Sequence, residues 1–201
     1  MARVPLSKSQ LTREKENLAS YRRYLPALDL KRQQLIGERN RARREIARIE
    51  AAVARSVVEA GEAIPMLADE RVVVSGLAWP GEVRLGTQNV AGVRLPIVES
   101  VEIHRADYSR LVRPHWVDAL TERLADAIRL RIEVEIAHQR IALLEAAVVK
   151  ITQRVNLFDK VLVPQTQDNI RRINVFLGDA ERSAVVGAKI AKRKREQETA
   201  A

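Results

Sequence analysis

The sequence predicts a mainly α-helical fold: a long antiparallel two-helix coiled coil with a small β-hairpin or ribbon in the middle of the chain. The first observation is an apolar seam that steps alternately by three and four residues. An average spacing of about 3.5 residues keeps one narrow stripe of a helix against a partner helix. The seam consists of Ala127, Leu130, Val134, Ala137, Ile141, Leu144, Val148, Ile151, Val155, Phe158 and Leu162.

A second seam near the start of the chain supplies the partner helix. Two seamed helices separated by a region of different composition fold most simply into an antiparallel hairpin. The second seam consists of Leu11, Leu18, Tyr21, Leu25, Leu28, Leu35, Ala42, Ile46, Ile49, Val53 and Val57.

The first helical arm is expected over residues 1–60. Ser7 or Ser9 is a suitable N-cap, because a serine hydroxyl accepts a hydrogen bond from a backbone N–H of the first turn. Gly61 is expected to end the helix. Pro26 lies inside this arm and predicts a bend or a local break. The seam keeps its phase on both sides of Pro26, so we expect the helix to continue past it.

The middle of the chain, residues 61–113, has a different pattern. It holds most of the glycines and three of the 7 prolines. Short β-branched runs at residues 71–75, 82–85, 90–95 and 97–98 predict a hairpin or a three-stranded ribbon. A sheet this small is marginally stable alone, so it should pack on the helices or on a partner.

The second arm is expected over residues 114–195. Pro114 is a favoured first-turn residue. The last residues, 196–201, are expected to fray. Beyond Pro164 the seam changes phase and resumes at Ile170, Ile173, Leu177, Ala180 and Ala184.

The composition narrows the class of protein. Aromatic residues make up 3% of the chain and charged residues 30%. This composition is typical of helices whose outer faces are exposed to solvent. No apolar run reaches the roughly 18 residues of a membrane-spanning helix, and the first residues lack the apolar core of a secretory signal. The chain has no cysteine, so we expect neither disulfides nor thiolate chemistry, and a cytosolic location.

The positive charge is concentrated in the two arms. The formal net charge of +9 divides into +7 over residues 1–59, −1 over residues 60–113 and +3 over residues 114–201. Basic arms of this kind suit a nucleic acid, an anionic membrane surface or a cavity in a protein. The sign of the charge alone leaves these three partners open.

Signatures of catalysis are not found. The sequence contains no phosphate-binding loop, no zinc-binding helix motif and no nucleophile elbow. His104, His115 and His138 are far apart in the sequence and no cysteine accompanies them. We therefore expect no catalytic residues, no metal site and no cofactor.

Two basic clusters keep nucleic-acid binding open as an alternative. Lysine and arginine clusters bind phosphates by releasing counterions, but the chain offers few aromatic side chains on which bases could stack. A solvated helix face or the wall of a protein cavity is the simpler interpretation. The clusters are Arg39, Arg41, Arg43, Arg44 and Arg48, and Lys189, Lys192, Arg193, Lys194 and Arg195.

Four stretches in the same order resemble the D subunit of V-type and A-type rotary ATPases, the central-stalk family. Residues 28–35 (Leu-Asp-Leu-Lys-Arg-Gln-Gln-Leu) are similar to the family's Leu-Leu-Lys-x-Lys-Arg-x-x-Leu. Residues 89–96 (Asn-Val-Ala-Gly-Val-Arg-Leu-Pro) are similar to its Asn…Gly-Val…Pro. Residues 154–159 (Arg-Val-Asn-Leu-Phe-Asp), with Val163-Pro164, resemble Arg-Val-Asn-Ala-Leu-Glu…Ile-Pro. The fourth stretch is residues 177–182, followed by Lys189 and Lys192.

The resemblance implies a non-catalytic rotor subunit that transmits torque between a hexamer of catalytic A-type and nucleotide-binding B-type subunits and a membrane rotor ring. Further implied partners are a small F-type stalk subunit and a funnel-shaped subunit on the ring. The implied location is peripheral, at the cytoplasmic face of the membrane, with no membrane insertion and no nucleic acid. The candidate contact residues are Lys31, Arg32, Arg154, Asn156, Pro164, Glu181, Arg182, Lys189 and Lys192.

Two alternatives remain on the residues alone. One is a generic coiled-coil scaffold with a hairpin cap, which would bind no ATPase hexamer. The other is a basic coiled coil that binds nucleic acid, with steep dependence on salt concentration.

Overall fold

The computed structural model describes residues 5–68, 74–109 and 111–199. Its order of elements confirms the predicted fold class, with a two-stranded sheet between two long helical stretches. The elements are helix α1 (Lys8–Ala63), a short 3-10 helix (Pro65–Ala68), strands β1 (Ala78–Val90) and β2 (Val93–Arg105), helix α2 (Trp116–Leu157), a π-helical turn (Phe158–Leu162) and helix α3 (Val163–Thr199).

The chain divides into two compact units. The terminal unit comprises Met1–Leu30 with Ile151–Ala201, and the hairpin unit comprises Lys31–Lys150. Both boundaries fall inside helices, so each unit takes one portion of α1 and one portion of the second helical stretch. This division cuts across the arms, cap and tail that the sequence suggests.

Helix α1 begins at one of the two expected caps. The Ser7 hydroxyl accepts a hydrogen bond from the Gln10 backbone N–H at 3.3 Å, which is the N-cap arrangement. The helix continues unbroken past Pro26. The expectation that the helix continues is therefore confirmed, and the alternative of a local break is wrong.

Helix α1 ends close to the expected position near Ala60, but it passes through Gly61 and ends at Ala63. One glycine inside a helix costs only about 1 kcal/mol relative to alanine. Ile64, the next residue, is buried and donates its backbone N–H to the carbonyl of Ala60 at 3.0 Å. Burial of this side chain favours extending the helix.

Within the hairpin unit, α1 and α2 run antiparallel. Arg43 of α1 forms an ion pair with Glu145 of α2, and Glu50 lies 3.4 Å from the Nε2 atom of His138. These contacts are one heptad apart on each helix and run in opposite directions. Leu35, Ile46, Val134 and Leu144, four seam residues of this unit, are buried, and the heptad spacing is the one that a coiled coil requires.

An apolar cluster joins the residue after α1 and the residue before β1 to the first turns of α2. It consists of Ile64, Leu77, Trp116, Val117 and Leu120, with Tyr108 and Leu124 packed against it. The Tyr108 hydroxyl donates to Asp118 Oδ1 at 2.8 Å and lies 3.0 Å from the hydroxyl of Thr121. The tyrosine thus buries its ring against the cluster while its polar end has partners.

The two strands form one antiparallel hairpin with a tight turn. Ala91 (φ 50°) and Gly92 (φ 82°) occupy the two central positions, and positive φ at both is typical of a type I′ turn. The Asn89 side chain accepts the Gly92 N–H at 2.9 Å. The β-branched run at residues 90–95 therefore contains the hairpin turn, at residues 91–92.

The hairpin is bulged and packs on α1 at its turn. Its register shifts between Pro80 and Val83 and again between Arg84 and Leu85, and a bulge is one of the few positions where a strand tolerates proline. The Nζ atom of Lys31 on α1 lies 3.1 Å from the position that a Cβ atom on Gly92 would occupy. Only two strands are found among the described residues, and part of the expected run at 71–75 lies outside them.

In the terminal unit, α1 contacts the π-helical turn. The rings of Tyr21 and Phe158 meet edge to face with centroids 5.4 Å apart. Tyr21 lies thirteen residues after Lys8, where α1 begins. A helix that runs antiparallel to α1 therefore has α1 beside it for about thirteen residues beyond Phe158. The coverage accordingly reaches Ile173, which is 0% exposed.

The π-helical turn explains why the seam changes phase near Pro164. The Val163 N–H bonds to the Phe158 carbonyl, a step of five residues in place of four. Pro164 has no N–H to donate, and its ring would clash with the preceding turn of an ideal α-helix. The extra residue per turn relieves that clash and rotates the apolar stripe.

All but three of the predicted seam residues are buried or half-buried. Val57 is 65% exposed, and Ala180 and Ala184 are also exposed. The alanines lie beyond the reach of α1, which explains their exposure. At the ends of the second stretch, α2 begins at Trp116 after the expected Pro114, and α3 continues to Thr199, past the expected end at Arg195.

Replacing the buried seam residue Leu144 with alanine should destabilise the chain by about 2–5 kcal/mol, because it leaves a cavity between helices. Leu143→Ala is the matched control: the two leucines are neighbours, but they are 43% and 1% exposed for Leu143 and Leu144 respectively. The control should change stability by only about 0.5 kcal/mol. Urea denaturation followed by circular dichroism measures both, and equal losses would contradict the packing described for Leu144.

Replacing Gly92 with alanine should destabilise the chain by about 1 kcal/mol or more, because φ is positive and a Cβ atom would crowd Lys31. Gly37→Ala is the control, and we expect it to change the stability in the opposite direction. Gly37 lies inside α1 with open space around it, so alanine should stabilise by up to about 1 kcal/mol. Thermal denaturation of both variants beside the parent chain tests the pair, and a stabilising Gly92→Ala would rule out the turn geometry.

Candidate functional site

The last part of α3 is helical and uncovered within its unit. Every residue from 180 to 197 is exposed; we call these residues the terminal helix segment. It carries six lysine or arginine residues and two glutamates. It also presents three aliphatic side chains that are more than half exposed: Val185, Val186 and Ile190. A helix with this mixture of groups can bind both an apolar and an acidic surface.

Four of the predicted contact residues, Glu181, Arg182, Lys189 and Lys192, lie on the terminal helix segment and are exposed. Arg182 lies 3.4 Å from Asp179, and Lys192 lies 3.8 Å from Glu196. Ion pairs at such exposed positions are worth about 0–1 kcal/mol. Breaking these ion pairs to form contacts with a partner therefore costs little free energy.

Three further candidates lie near the π-helical turn, in the same unit. Arg154 is exposed in the last turn of α2, Asn156 is half-buried, and Pro164 is exposed just after the turn. The apolar neighbours Ile151 and Val155 are buried. Arg154 thus faces away from the seam, which gives it no role in the core and leaves it accessible to a partner.

Lys31 and Arg32 lie in the hairpin unit, and both are half-buried on α1. Lys31 is beside the hairpin turn, close to Gly92. Two of the four stretches that carry the resemblance, residues 28–35 and 89–96, therefore meet at this point. Lys31 lies close to the turn and is half-buried, so its role includes packing within the chain.

Arg140 was not identified from the sequence, yet it joins α2 to both strands. Its guanidinium donates to the Pro96 carbonyl of β2 at 3.3 Å and to Gln88 Oε1 of β1 at 3.2 Å. Beside it lies a cavity of about 380 Å³ between α1, α2 and β2, lined in part by Ile49, Leu95 and Ile136. Nothing in the local sequence separates Arg140 from other arginines on a helix face.

The basic cluster on α1 is largely neutralised within the chain. Arg41 bonds to Glu38 at 2.6 Å, Arg43 to Glu145, and Arg48 to Glu45 at 2.6 Å. The hydrogen bond and the charge of Glu45 raise the pKa of Arg48. Carboxylates in these positions compete with phosphates, which weakens the case for nucleic-acid binding there.

The described residues hold neither a metal-binding cluster nor a membrane-spanning helix. Across residues 5–68, 74–109 and 111–199, no three histidine, aspartate or glutamate side chains come together in a way that could hold a metal ion. In that same part of the chain, no helix combines the length and apolar character that crossing a membrane requires.

Comparison with known proteins places the whole fold in one family. The family model of the ATP synthase D subunit matches residues 10–193. The V-type ATP synthase D subunit of Borreliella burgdorferi is 34% identical over 198 residues, which cover 96% of this chain and 95% of the relative. That of Chlamydia muridarum is 32% identical and covers 98% of both chains; that of Chlamydia pneumoniae is 31% identical, covering 95% of this chain and 92% of the relative. With two seamed helical stretches, a hairpin between them and a match over nearly the full length, the chain belongs to the family of ATP synthase D subunits.

Proposed function

We propose that this chain is a non-catalytic central-stalk rotor subunit of a V/A-type rotary ATPase or ATP synthase. In this role it transmits torque between a catalytic hexamer and a membrane rotor ring. The observation that carries the proposal is the terminal helix segment: a basic, partly apolar helix that its own unit leaves uncovered, in a chain whose family match extends to residue 193.

The hexamer of A-type and B-type subunits is the proposed partner of the terminal helix segment. Val185, Val186 and Ile190 are each more than half exposed, and enclosure by a protein would bury them. The surrounding lysines and arginines suit an acidic rim on that enclosure. Because these side chains are long and flexible, they can keep similar contacts as the rotor turns.

The packing of the helices suits torque transmission. In each unit, buried seam side chains lie on α1 or on the second helical stretch, as with Ile46 and Leu144 in the hairpin unit. Sliding or unwinding one helix would pull these side chains out of the spaces between side chains of the facing helix. A load applied at the terminal helix segment is therefore carried by packed side chains as well as by one backbone.

The remaining candidate contacts and partners belong to the same proposal. Arg154 and Pro164 are exposed and Asn156 is half-buried in the terminal unit, and Lys31 and Arg32 are half-buried in the hairpin unit; we include all five among the proposed partner contacts. The small F-type stalk subunit and the funnel-shaped subunit on the ring are the proposed partners away from the hexamer. The location is peripheral, at the cytoplasmic face, and ATP chemistry takes place in the hexamer.

The test of this function is assembly with the catalytic hexamer from the same organism, measured by native mass spectrometry. We expect one copy of the chain per hexamer and an ATPase rate that changes when the chain is added. A chain that forms only homodimers would indicate a generic scaffold. A chain that binds duplex DNA with steep salt dependence would instead indicate the nucleic-acid alternative.

Reversing the charge of Lys189, Lys192 and Arg193 to glutamate should reduce torque or coupling, because the cations would no longer face an acidic lining. The control reverses three exposed cations of α2 outside the segment, Arg129, Arg131 and Lys150, for the same change in net charge. Rotation driven by ATP hydrolysis is observed on single complexes. Unchanged rotation of the first variant would remove the electrostatic part of the proposal.

A further inference from the structure

The hairpin packs incompletely on the two helices of its unit. The cavity of about 380 Å³ between α1, α2 and β2 is lined by Ile97 and Val98 on the strand side and by Ile49 on α1. Protein interiors are usually close-packed, with few voids larger than a water molecule. Among all residues of β1 and β2, only Leu95 is buried. The strands therefore bury little of their surface on the helices.

Two bulges separate the tip of the hairpin from its base. The strand register shifts between Pro80 and Val83 and again between Arg84 and Leu85. A bulge disrupts the ladder of hydrogen bonds and bends the strand. We call residues 85–98, which lie on the tip side of both bulges, the flap.

The base of the hairpin, by contrast, is fixed to the helices. Leu77 packs in the apolar cluster with Trp116 and Leu120 of α2, and its carbonyl accepts the Ala106 N–H at 2.9 Å. Because the base is held and the ladder is interrupted above it, the bulges are the place where the flap can bend away from the helices.

Arg140 of α2 is bonded to the flap, beyond the bulges. Its guanidinium donates to the Pro96 carbonyl at 3.3 Å and to Gln88 Oε1 at 3.2 Å. These acceptors lie on different strands, and a planar guanidinium can reach both in a fixed geometry, whereas a lysine ammonium is a single point charge. Hydrogen bonds from a charged donor are also stronger than those between neutral groups.

We propose that the flap opens from the helices as one piece, bending at the bulges, and that Arg140 is the latch that keeps it closed. Opening breaks the two hydrogen bonds of Arg140 and exposes Leu95. The ladder within the flap, the apolar cluster and the packing of α1 on α2 stay intact. Opening therefore requires less free energy than unfolding of the whole chain.

The full-length chain contains no cysteine, so an introduced thiol can report the opening of the flap. Leu95→Cys, at a position that is 1% exposed, and Val98→Cys, at a half-buried position, each place a thiol on β2 beside the cavity. Leu120→Cys, at a position that is 4% exposed, places one in the apolar cluster. Each is combined with Arg140→Met, with Arg140→Lys, and with Arg129→Met, a control at an exposed arginine of α2. The rate of labelling by a maleimide reagent is measured without denaturant.

We expect Arg140→Met to speed the labelling of the Leu95→Cys thiol about tenfold or more, because the loss of hydrogen bonds from a charged group shifts the opening equilibrium by at least that factor. The Val98→Cys thiol should also react faster. Arg140→Lys should have a smaller effect on both, and Arg129→Met should have none. Labelling of the Leu120→Cys thiol should stay within about threefold in every variant, as for a surface change far from the core.

Two results would overturn the inference. Unchanged labelling of both strand thiols in Arg140→Met would show that Arg140 is not a latch. Equal acceleration at Leu120→Cys would show that Arg140 stabilises the whole unit and that the flap does not open alone. Circular dichroism checks the folding of each chain, and Val98→Cys, which changes the side-chain volume little, keeps the test decisive if Leu95→Cys does not fold.

Discussion

The structure depends on the mismatch between the 3.5-residue spacing of its apolar seams and the 3.6 residues of an α-helix turn. A helix that keeps such a seam buried must wind around a neighbour, because the stripe would otherwise drift out of contact. In the hairpin unit this constraint sets the antiparallel register, in which Arg43 meets Glu145 and Glu50 meets His138 one heptad on. These exposed ion pairs add little energy; they follow from the seam.

The constraint also explains where the helical regularity is interrupted. Pro164 cannot take part in the normal backbone bonding, and the chain responds with one π-helical turn before it. Pro26, by contrast, is absorbed within α1. The hairpin lies close to α1 at its turn, where Gly92 has a positive φ that favours glycine and lies near the Nζ atom of Lys31. Small local deviations therefore preserve one continuous packing surface in each unit.

The seams, the cap and the hairpin region could be predicted from sequence, because periodicity and glycine placement are local signals. The exact ends could not. Ile64 extends α1 past Gly61 through a tertiary contact that no local rule contains. The spacing of Ala180 and Ala184 fits the seam. They are nevertheless exposed, because α1 begins only at Lys8 and does not extend far enough to cover them. Arg140 could not be predicted for the same reason, because its role depends on the strand residues that lie beside it in space.

The composition of the terminal helix segment suits a helix that has no neighbouring helix packed on it within its unit. Its seam positions change from Ile173 and Leu177 to Ala180, Ala184 and Ala191, just where α1 runs out. Alanine has the highest helix propensity and exposes little apolar area, so the segment can stay helical without a neighbouring helix. Val186 and Ile190 lie away from that alanine stripe, since residues shared by one face recur every three or four positions. The large side chains of the segment are thus placed for a surface outside the chain.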